Sequence, residues 1–100
     1  MRLARTLPCE LTVYTIGELY PQCQAWSHAD MEHACLRVGA EAVAEVDAAG
    51  VQLLLSLSST LQAQRRTLQL VTPSEALSAA CQALGAGILV DNADMKGQEP

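Results

Sequence analysis

A short junction of one acidic residue and three small ones offers the clearest chemistry in the sequence. Residues 47–50, Asp-Ala-Ala-Gly, follow an apolar strand that ends at Val46, and a leucine-rich helix is predicted from Val51. The first N–H groups of a helix lack partners within the helix, so this junction can take an anion, a phosphate or a partner's carbonyl group. The ordinary role of Asp47 is to accept such N–H bonds itself, and we favour that role over catalysis.

Cysteine and histidine supply a second candidate site. Cys23, His28, His33 and Cys35 are residue types that bind zinc, but their spacing matches no zinc module and they are spread over a predicted helix, loop and strand. We therefore interpret the two histidines as exposed loop residues. All four cysteines of the chain are interpreted as reduced thiols that fill small spaces in the core. Neither a metal nor a cofactor is expected.

Residue sets typical of enzymes are not evident. The sequence contains no recognisable Ser-His-Asp set, no carboxylate pair in a credible cleft and no Gly-rich phosphate loop. The residues therefore give no support for a catalytic function.

The amino-acid composition limits the class of protein further. With 100 residues, half of them apolar, the chain forms one small domain with its own core. Aromatic residues make up 3% and the net charge is -5, which argues against nucleic-acid binding. No apolar run reaches the roughly 20 residues that cross a bilayer, and the N-terminal segment is too short and polar for a signal peptide. A cytoplasmic location without membrane insertion is expected.

The N-terminal elements lie before the junction. Short strands are predicted over residues 3–7 and 11–14. A Thr-x-x-Glu capping box at residues 15–18 predicts a helix to about Ser27, and Pro21 should cause a kink or a later helix start, nearer Tyr20. The side chains predicted to face the core are Leu19, Cys23 and Trp26.

The central elements enclose the junction. Residues 29–33 form a polar loop, and residues 34–40 form a strand with Arg37 on an incompletely covered sheet face. The helix over residues 51–64 is apolar on its inner side, where Val51, Leu54, Leu55, Ser58 and Leu61 lie. Leu53 and Leu57 widen this apolar arc, so the helix either packs on two sides or exposes an apolar strip, and we favour packing.

The C-terminal part of the sequence predicts a strand, a helix and a last short strand. Arg65 and Arg66 are placed where cations suit a helix C-terminus. A strand over residues 67–71 is followed by a capping box at residues 72–75. The helix that it begins has Ala76, Leu77, Ala80, Cys81 and Leu84 facing inward, ends at Gly85 and precedes a short strand over residues 88–90.

The alternation of predicted strands and helices along the chain predicts an α/β fold. Its sheet is mixed and mostly parallel, with four to five strands packed by three or more helices. The predicted domain covers residues 1–91, and residues 92–100 form a flexible tail.

Three blocks of sequence carry a family resemblance. They are Glu-Leu-Thr-Val-Tyr-Thr at residues 10–15, Glu-Val-Asp-Ala-Ala-Gly-Val-Gln-Leu-Leu-Leu at residues 45–55 and Leu-Gln-Leu-Val-Thr-Pro-Ser at residues 68–74. On these residues the chain resembles a STAS domain from about Leu3 to Val90. STAS is the fold of bacterial anti-sigma factor antagonists and of the cytoplasmic tails of sulfate transporters.

The resemblance implies a non-enzymatic regulator that binds a protein partner at the junction. Regulated members of the family have a Ser or Thr directly after the signature Asp, and a partner kinase that doubles as an anti-sigma factor phosphorylates it. Here Ala48 and then Ala49 take that place, and Gly39 stands where an Asp or Asn is usual. We therefore expect constitutive binding without a phospho-switch. The partner-binding residues are predicted to be Asp47, Ala48, Ala49, Gly50, Val51, Gln52 and Ser56.

The implied partner is a histidine-kinase-like anti-sigma factor or a component of a signalling or chemotaxis pathway. An alternative is a STAS accessory subunit of a phospholipid-trafficking ABC transporter, bound to the ATPase subunit, although that subfamily usually keeps a Thr after the Asp. A weak homodimer is compatible with either alternative. Nucleotide binding at the helix start and phosphorylation of another Ser or Thr stay open.

Overall fold

Strands and helices alternate along the part of the chain that the computed structural model describes, residues 5–29 and 31–91. The elements in chain order are β1 (Glu10–Leu11), α1 (Ile16–Ser27), β2 (Cys35–Gly39), β3 (Glu45–Val46), α2 (Ala48–Ala63), β4 (Thr67–Val71), α3 (Glu75–Ala83) and α4 (Ile88–Asp91). The predicted tail over residues 92–100 and the first two residues of the strand predicted over 3–7 lie outside the described residues.

The four strands pair in parallel, as their alternation with helices predicts. β2 pairs with β4 over five residues, from Cys35 opposite Thr67 to Gly39 opposite Val71. β1 pairs with β3, with Glu10 opposite Glu45. Thr6 adds an isolated parallel bridge to Gly39. The predicted α/β architecture is confirmed, with the four strands forming two small parallel sheets.

Helix α2 lies at the centre of the packing, because it contacts α1 on one side and β1, β3 and β4 on the other. Leu54 and Leu61 are fully buried, and the two leucines that widen the apolar arc, Leu53 and Leu57, are 8% and 4% exposed. The prediction that this arc belongs to the core is confirmed. The buried apolar residues that complete the core are Leu7, Leu11, Leu19, Cys23, Leu36, Val38, Ala40, Val43, Val51, Leu68, Leu70, Leu77, Cys81, Ala86 and Leu89.

One face of the β2–β4 sheet is open to solvent. Arg37 and Cys35 are exposed, whereas Leu36 and Val38 are buried on the opposite face. The Sγ atom of Cys35 lies 3.4 Å from Oε1 of Gln69 on the neighbouring strand. The prediction for Arg37 is confirmed. The prediction that all cysteines are core residues is right for Cys23 and Cys81 and wrong for Cys9 and Cys35, which are exposed.

Both predicted capping boxes are wrong in detail. Thr15 precedes α1, but its hydroxyl accepts from the N–H of Thr12 and makes no bond to the helix. Helix α3 is capped by Ser74, whose hydroxyl accepts from the N–H of Leu77 at 3.1 Å, so Pro73 precedes the cap. The Thr15 side chain is used outside the helix and the cap of α3 is Ser74, which a spacing of three residues cannot reveal.

The two arginines after α2 have different environments. Arg65 adopts a left-handed conformation with φ of 61°, and the bonds from Arg66 N to Leu61 O and from Arg65 N to Gln62 O close the helix end. Arg66 is 4% exposed, and its guanidinium donates to the carbonyl oxygens of Ser27, Ala29 and His33. The predicted interaction of both cations with the α2 dipole is therefore wrong for Arg66, which instead holds the connection between α1 and β2.

Three further predictions differ from the structure: the start of α1, the type of the element at residues 88–90 and the orientation of Leu84. Helix α1 begins at Ile16 and includes Pro21, so the alternative of a later start near Tyr20 is wrong. The predicted strand over residues 88–90 is helix α4, because Val90 N bonds to Gly87 O. Three consecutive apolar residues do not distinguish a strand from a helical turn. At the end of α3, Leu84 was predicted to face inward, but it is 50% exposed.

Candidate protein-binding site

The carboxylate of Asp47 joins two segments that are distant in sequence. Asp47 is the N-cap of α2, and its Oδ1 accepts from the N–H of Gly50 at 3.1 Å. Its Oδ2 accepts from the N–H of Val13 at 3.0 Å, in the turn between β1 and α1. These backbone N–H groups, Val13 first and then Gly50, lower the pKa of Asp47 below its ordinary value. The predicted role of Asp47 as acceptor at the helix start is confirmed.

The turn that Asp47 holds is ordered by its own hydrogen bonds. The Thr12 hydroxyl donates to the Glu10 carboxylate at 2.6 Å, and the Thr15 hydroxyl bonds to the backbone oxygens of Glu10 and Thr12 at 3.0 and 3.1 Å. The side chains between them point outward, because Val13 is 56% and Tyr14 87% exposed. An apolar and an aromatic side chain are therefore presented from a fixed backbone next to the start of α2.

Gly50 and Val51 lie beneath the site. A Cβ atom on Gly50 would stand 2.1 Å from the carbonyl oxygen of Leu11 and 2.8 Å from its Cγ, so only glycine lets α2 approach β1 this closely. Val51 is 2% exposed. The helix begins at Ala48 and not at Val51 as predicted, so Gly50 lies within the first turn of the helix. Both residues shape the surface and are not available for direct contact with a partner.

The remaining predicted site residues lie at the surface. Ala48, Gln52 and Ser56 are exposed, and Asp47 and Ala49 are half-buried. Four residues of this part of α2 line one side of a groove of about 620 Å³ whose other side is α1, and we call it the α1–α2 groove. Its lining residues are Ile16, Gly17, Tyr20, Pro21, Ala49, Gln52, Leu53 and Ser56.

A smaller concavity of about 110 Å³ continues the groove toward the C-terminal end of α1. It shares Tyr20, Leu53 and Ser56 with the groove and extends to His28 and Thr60. The seam between the two helices is thus mainly apolar near the helix starts and more polar toward the C-terminal end of α1.

The arrangement suits recognition of a protein surface better than capture of an anion. The Gly50 N–H that would bind a phosphate is already bonded to Asp47, whose carboxylate would repel one. A carboxylate with a lowered pKa that accepts two N–H bonds is also a poor general base near neutral pH. What the site offers is an exposed, mainly apolar surface next to a rigid backbone.

The residues weighed as a zinc set are separated by their surroundings. Cys23 is buried in the core and burial raises the pKa of its thiol to about 11, whereas Cys35 is exposed on the open sheet face. His28 and His33 are exposed, as predicted. Within residues 5–29 and 31–91 there is no group of three or more His, Cys, Asp or Glu side chains that could hold a metal ion.

Sequence reasoning missed the contribution of the β1–α1 turn and of α1. Val13 and Tyr14 were assigned to a strand, and Ile16 and Tyr20 were not considered as surface residues. The Thr residues on both sides of Val13-Tyr14 were a usable signal, since Thr hydroxyls often stabilise turns. The pairing of Tyr20 with the α2 surface has no local signal, because it depends on how two helices pack.

Fold and site together define a small α/β domain with parallel strands and an exposed Ala48 at the start of α2. A family model described as "Mlab, STAS domain" matches residues 6–91, which is most of the chain. The chain therefore belongs to the STAS domain family, and the family resemblance is confirmed.

STAS domains generally have regulatory or binding roles, are generally not enzymes, and commonly mediate protein–protein interactions. The comparisons with curated proteins and with solved structures gave no match. No helix among the described residues is long and apolar enough to cross a membrane.

Proposed function

We propose that this STAS domain is a regulatory protein that binds a signalling partner constitutively through the start of α2. The surface consists of Ala48, Ala49, Gln52 and Ser56, extended by the exposed β1–α1 turn. The observation that carries the proposal is the exposed methyl group of Ala48 directly after the capping Asp47, with the next residue, Ala49, lining the apolar α1–α2 groove. The proposed partner is a histidine-kinase-like anti-sigma factor or a chemotaxis signalling protein.

Constitutive binding follows from the chemistry of residues 48 and 49. Neither Ala48 nor Ala49 has a hydroxyl group, so neither can accept a phosphoryl group. In a relative with Ser or Thr there, phosphorylation would add about -1.5 to -2 charge beside the Asp47 carboxylate and so weaken docking. The alanines keep this surface small and uncharged. Control of binding then lies in expression, in competition between partners or in modification of the partner.

A second candidate is a STAS accessory subunit of a phospholipid-trafficking ABC transporter. The description of the matching family model, which names Mlab, favours it. The partner would then be the ATPase subunit, docked on the same surface. Co-purification separates the two candidates, because the first predicts a kinase-like or chemotaxis protein and the second an ATPase.

Affinity capture from the native cell followed by mass spectrometry tests the proposal. The bait is the wild-type chain, compared with Ala48→Glu, which places a permanent negative charge where a phosphoryl group would lie. Ala48 is exposed at the first position of α2, where an acidic residue suits the helix dipole, so the variant should fold. We expect recovery of the partner to fall at least tenfold.

Gln62→Glu is the matched control. It places the same charge on an exposed position of the same helix, far from the helix start. Its partner recovery should equal that of the wild type. Equal recovery with Ala48→Glu would place the interface elsewhere, and stoichiometric phosphorylation of Ser56, Ser58 or Ser59 with loss of binding would contradict constitutive binding.

A further inference from the structure

Charged residues are nearly absent from helices α1 and α2. The 12 residues of α1 and the 16 residues of α2 include a single charged side chain, that of Glu18, although 17% of the chain is charged. From Ala48 to Gln64 the exposed polar positions carry amide or hydroxyl groups. Depletion of charge is a property of the central part of protein interfaces and is not typical of solvated helix faces.

The one charged residue points away from the groove. Glu18 lines a different concavity, together with Glu10 and Gln22, whereas Ile16 and Tyr20 of the same helix line the α1–α2 groove. At the helix starts Asp47 is half-buried and accepts two N–H bonds. We call the exposed surface of α1 and α2 around the α1–α2 groove the α1–α2 face. The α1–α2 faces of two copies can therefore meet without opposing carboxylates at the centre of the contact.

The net charge of -5 decides which faces of two identical copies can approach each other. Copies of an acidic chain repel at most orientations, and carboxylates of opposite copies that meet in an interface are costly. The α1–α2 face lacks this cost, and it also carries the 49% exposed ring of Tyr20 beside the apolar groove. A two-fold arrangement would place the same uncharged patch on both sides of the contact.

We propose that a second copy of this chain occupies the α1–α2 groove, so that the protein forms a weak two-fold dimer through this face. The consequence for regulation rests on the proposed function: the dimer covers Gln52 and Ser56 and competes with the signalling partner. High concentrations of the free chain then hide its own binding site.

The small area of the α1–α2 face predicts that the dimer is weak. Helix α2 has 16 residues and is about 24 Å long at roughly 1.5 Å per residue. With α1 packed about 8–10 Å away, the two helices offer roughly 500 Å² per copy, below the approximately 800 Å² per partner of standard interfaces. The dimer should therefore dissociate at low micromolar concentrations and form at several hundred micromolar.

Sedimentation equilibrium of the purified chain from about 5 µM to 1 mM tests the proposal, with Ser56→Glu as the disrupting variant. Ser56 is exposed and lines both the groove and the smaller concavity, so two opposed glutamates would lie near the centre of the dimer. We expect the dimer dissociation constant to rise at least tenfold in this variant. Gln62→Glu is the matched control, because it adds the same charge at an exposed position of α2 that lines neither cavity and lies roughly 120° around the helix from Ser56. It should self-associate like the wild type.

Salt dependence provides an independent measurement. Because the contact contains no opposite charges, raising NaCl from 50 to 500 mM should leave the dissociation constant unchanged or lower it by screening the repulsion between copies. Far-UV circular dichroism of each variant confirms that it is folded. A wild-type chain that stays monomeric up to 1 mM overturns the proposal, as does equal self-association of Ser56→Glu and Gln62→Glu or weakening of the dimer by salt.

The experiment separates this inference from the proposed function. Self-association is measured on the isolated chain, without any partner, and uses Ser56→Glu. Partner capture uses Ala48→Glu at the helix start. A monomeric chain that still loses its partner through Ala48→Glu refutes the dimer alone, whereas a dimer whose chain captures partners independently of Ala48 refutes the proposed function alone.

Discussion

The carboxylate of Asp47 holds two backbone segments of the candidate site in place. Its two carboxylate oxygens bond to the N–H groups of Gly50 and Val13, so the start of α2 and the β1–α1 turn are held in one arrangement. The exposed side chains of the proposed binding surface include those of Ala48, Val13 and Tyr14. Asp47 is thus better described as a positioning residue than as a contact.

These hydrogen bonds predict a pH-dependent contribution of Asp47 to stability. The pKa of Asp47 is lowered in the folded chain, so its contribution is complete above the unfolded-state pKa of about 3.9 and is lost as the pH falls through the lower folded-state pKa. Asp47→Asn should therefore lower the midpoint of thermal unfolding at pH 7. The difference from the wild type should shrink as the pH falls from about 4 to 2.5. Thermal unfolding followed by circular dichroism measures this difference, and a difference that does not change with pH would contradict the prediction.

The cysteines differ in their predicted reactivity. Cys9 and Cys35 are exposed, whereas Cys23 and Cys81 are buried and burial raises the pKa of both thiols, that of Cys23 to about 11. A disulfide reagent such as DTNB at pH 8 should modify two thiols per chain rapidly and the other two only after unfolding. Cys9→Ser and Cys35→Ser should each remove one rapid equivalent. Four rapid equivalents in the folded chain would contradict the burial.

At the scale of elements, the close packing of α2 on β1 depends on a single glycine. A methyl group on Gly50 would overlap the backbone oxygen of Leu11, which cannot move without shifting β1. Gly50→Ala should therefore destabilise the fold by about 3 kcal/mol or more, the upper end of the usual cost of overpacking. Urea unfolding measures the change in free energy.

Gly17→Ala in helix α1 is the matched control for Gly50→Ala. A Cβ atom on Gly17 has no heavy atom within 4 Å, so Gly17→Ala should stabilise the chain by about 0.5–1 kcal/mol through the helix preference of alanine. If Gly50→Ala stabilised the chain as Gly17→Ala does, helix propensity would control the effect at Gly50 and the contact with Leu11 would not.

The elements that sequence predicts well are those with long periodic patterns. The strand at residues 67–71 and the end of α1 at Ser27 agree with the prediction, and the strand at 34–40 is shorter by one residue at each end. Features that depend on a distant partner were missed. The Gly50 contact requires Leu11, and the guanidinium of Arg66 bonds to carbonyl groups more than 30 residues earlier in the chain. No local pattern contains this information.

At the scale of the whole molecule, the position of the candidate site could be predicted but its shape could not. The junction at residues 47–50 stands out because an acidic residue and small residues separate a strand from a helix. The groove beside it exists because α1 packs on α2, and neither helix alone indicates which side chains will line their seam. The sequence shows that α1 and α2 contain few charged residues. It does not show that their uncharged side chains line the same groove.

The predicted domain boundary can be tested with two truncated chains. The family match ends at residue 91, and residues 92–100 have few apolar side chains. A chain of residues 1–91 should unfold within about 2 °C of the full chain. A chain of residues 1–86 loses Leu89, which is 4% exposed in the core, and should be destabilised by about 2–4 kcal/mol, which lowers the midpoint by roughly 10 °C or more. If residues 1–91 unfolded at the lower temperature as well, the tail would have to pack on the domain, and the boundary would lie beyond residue 91.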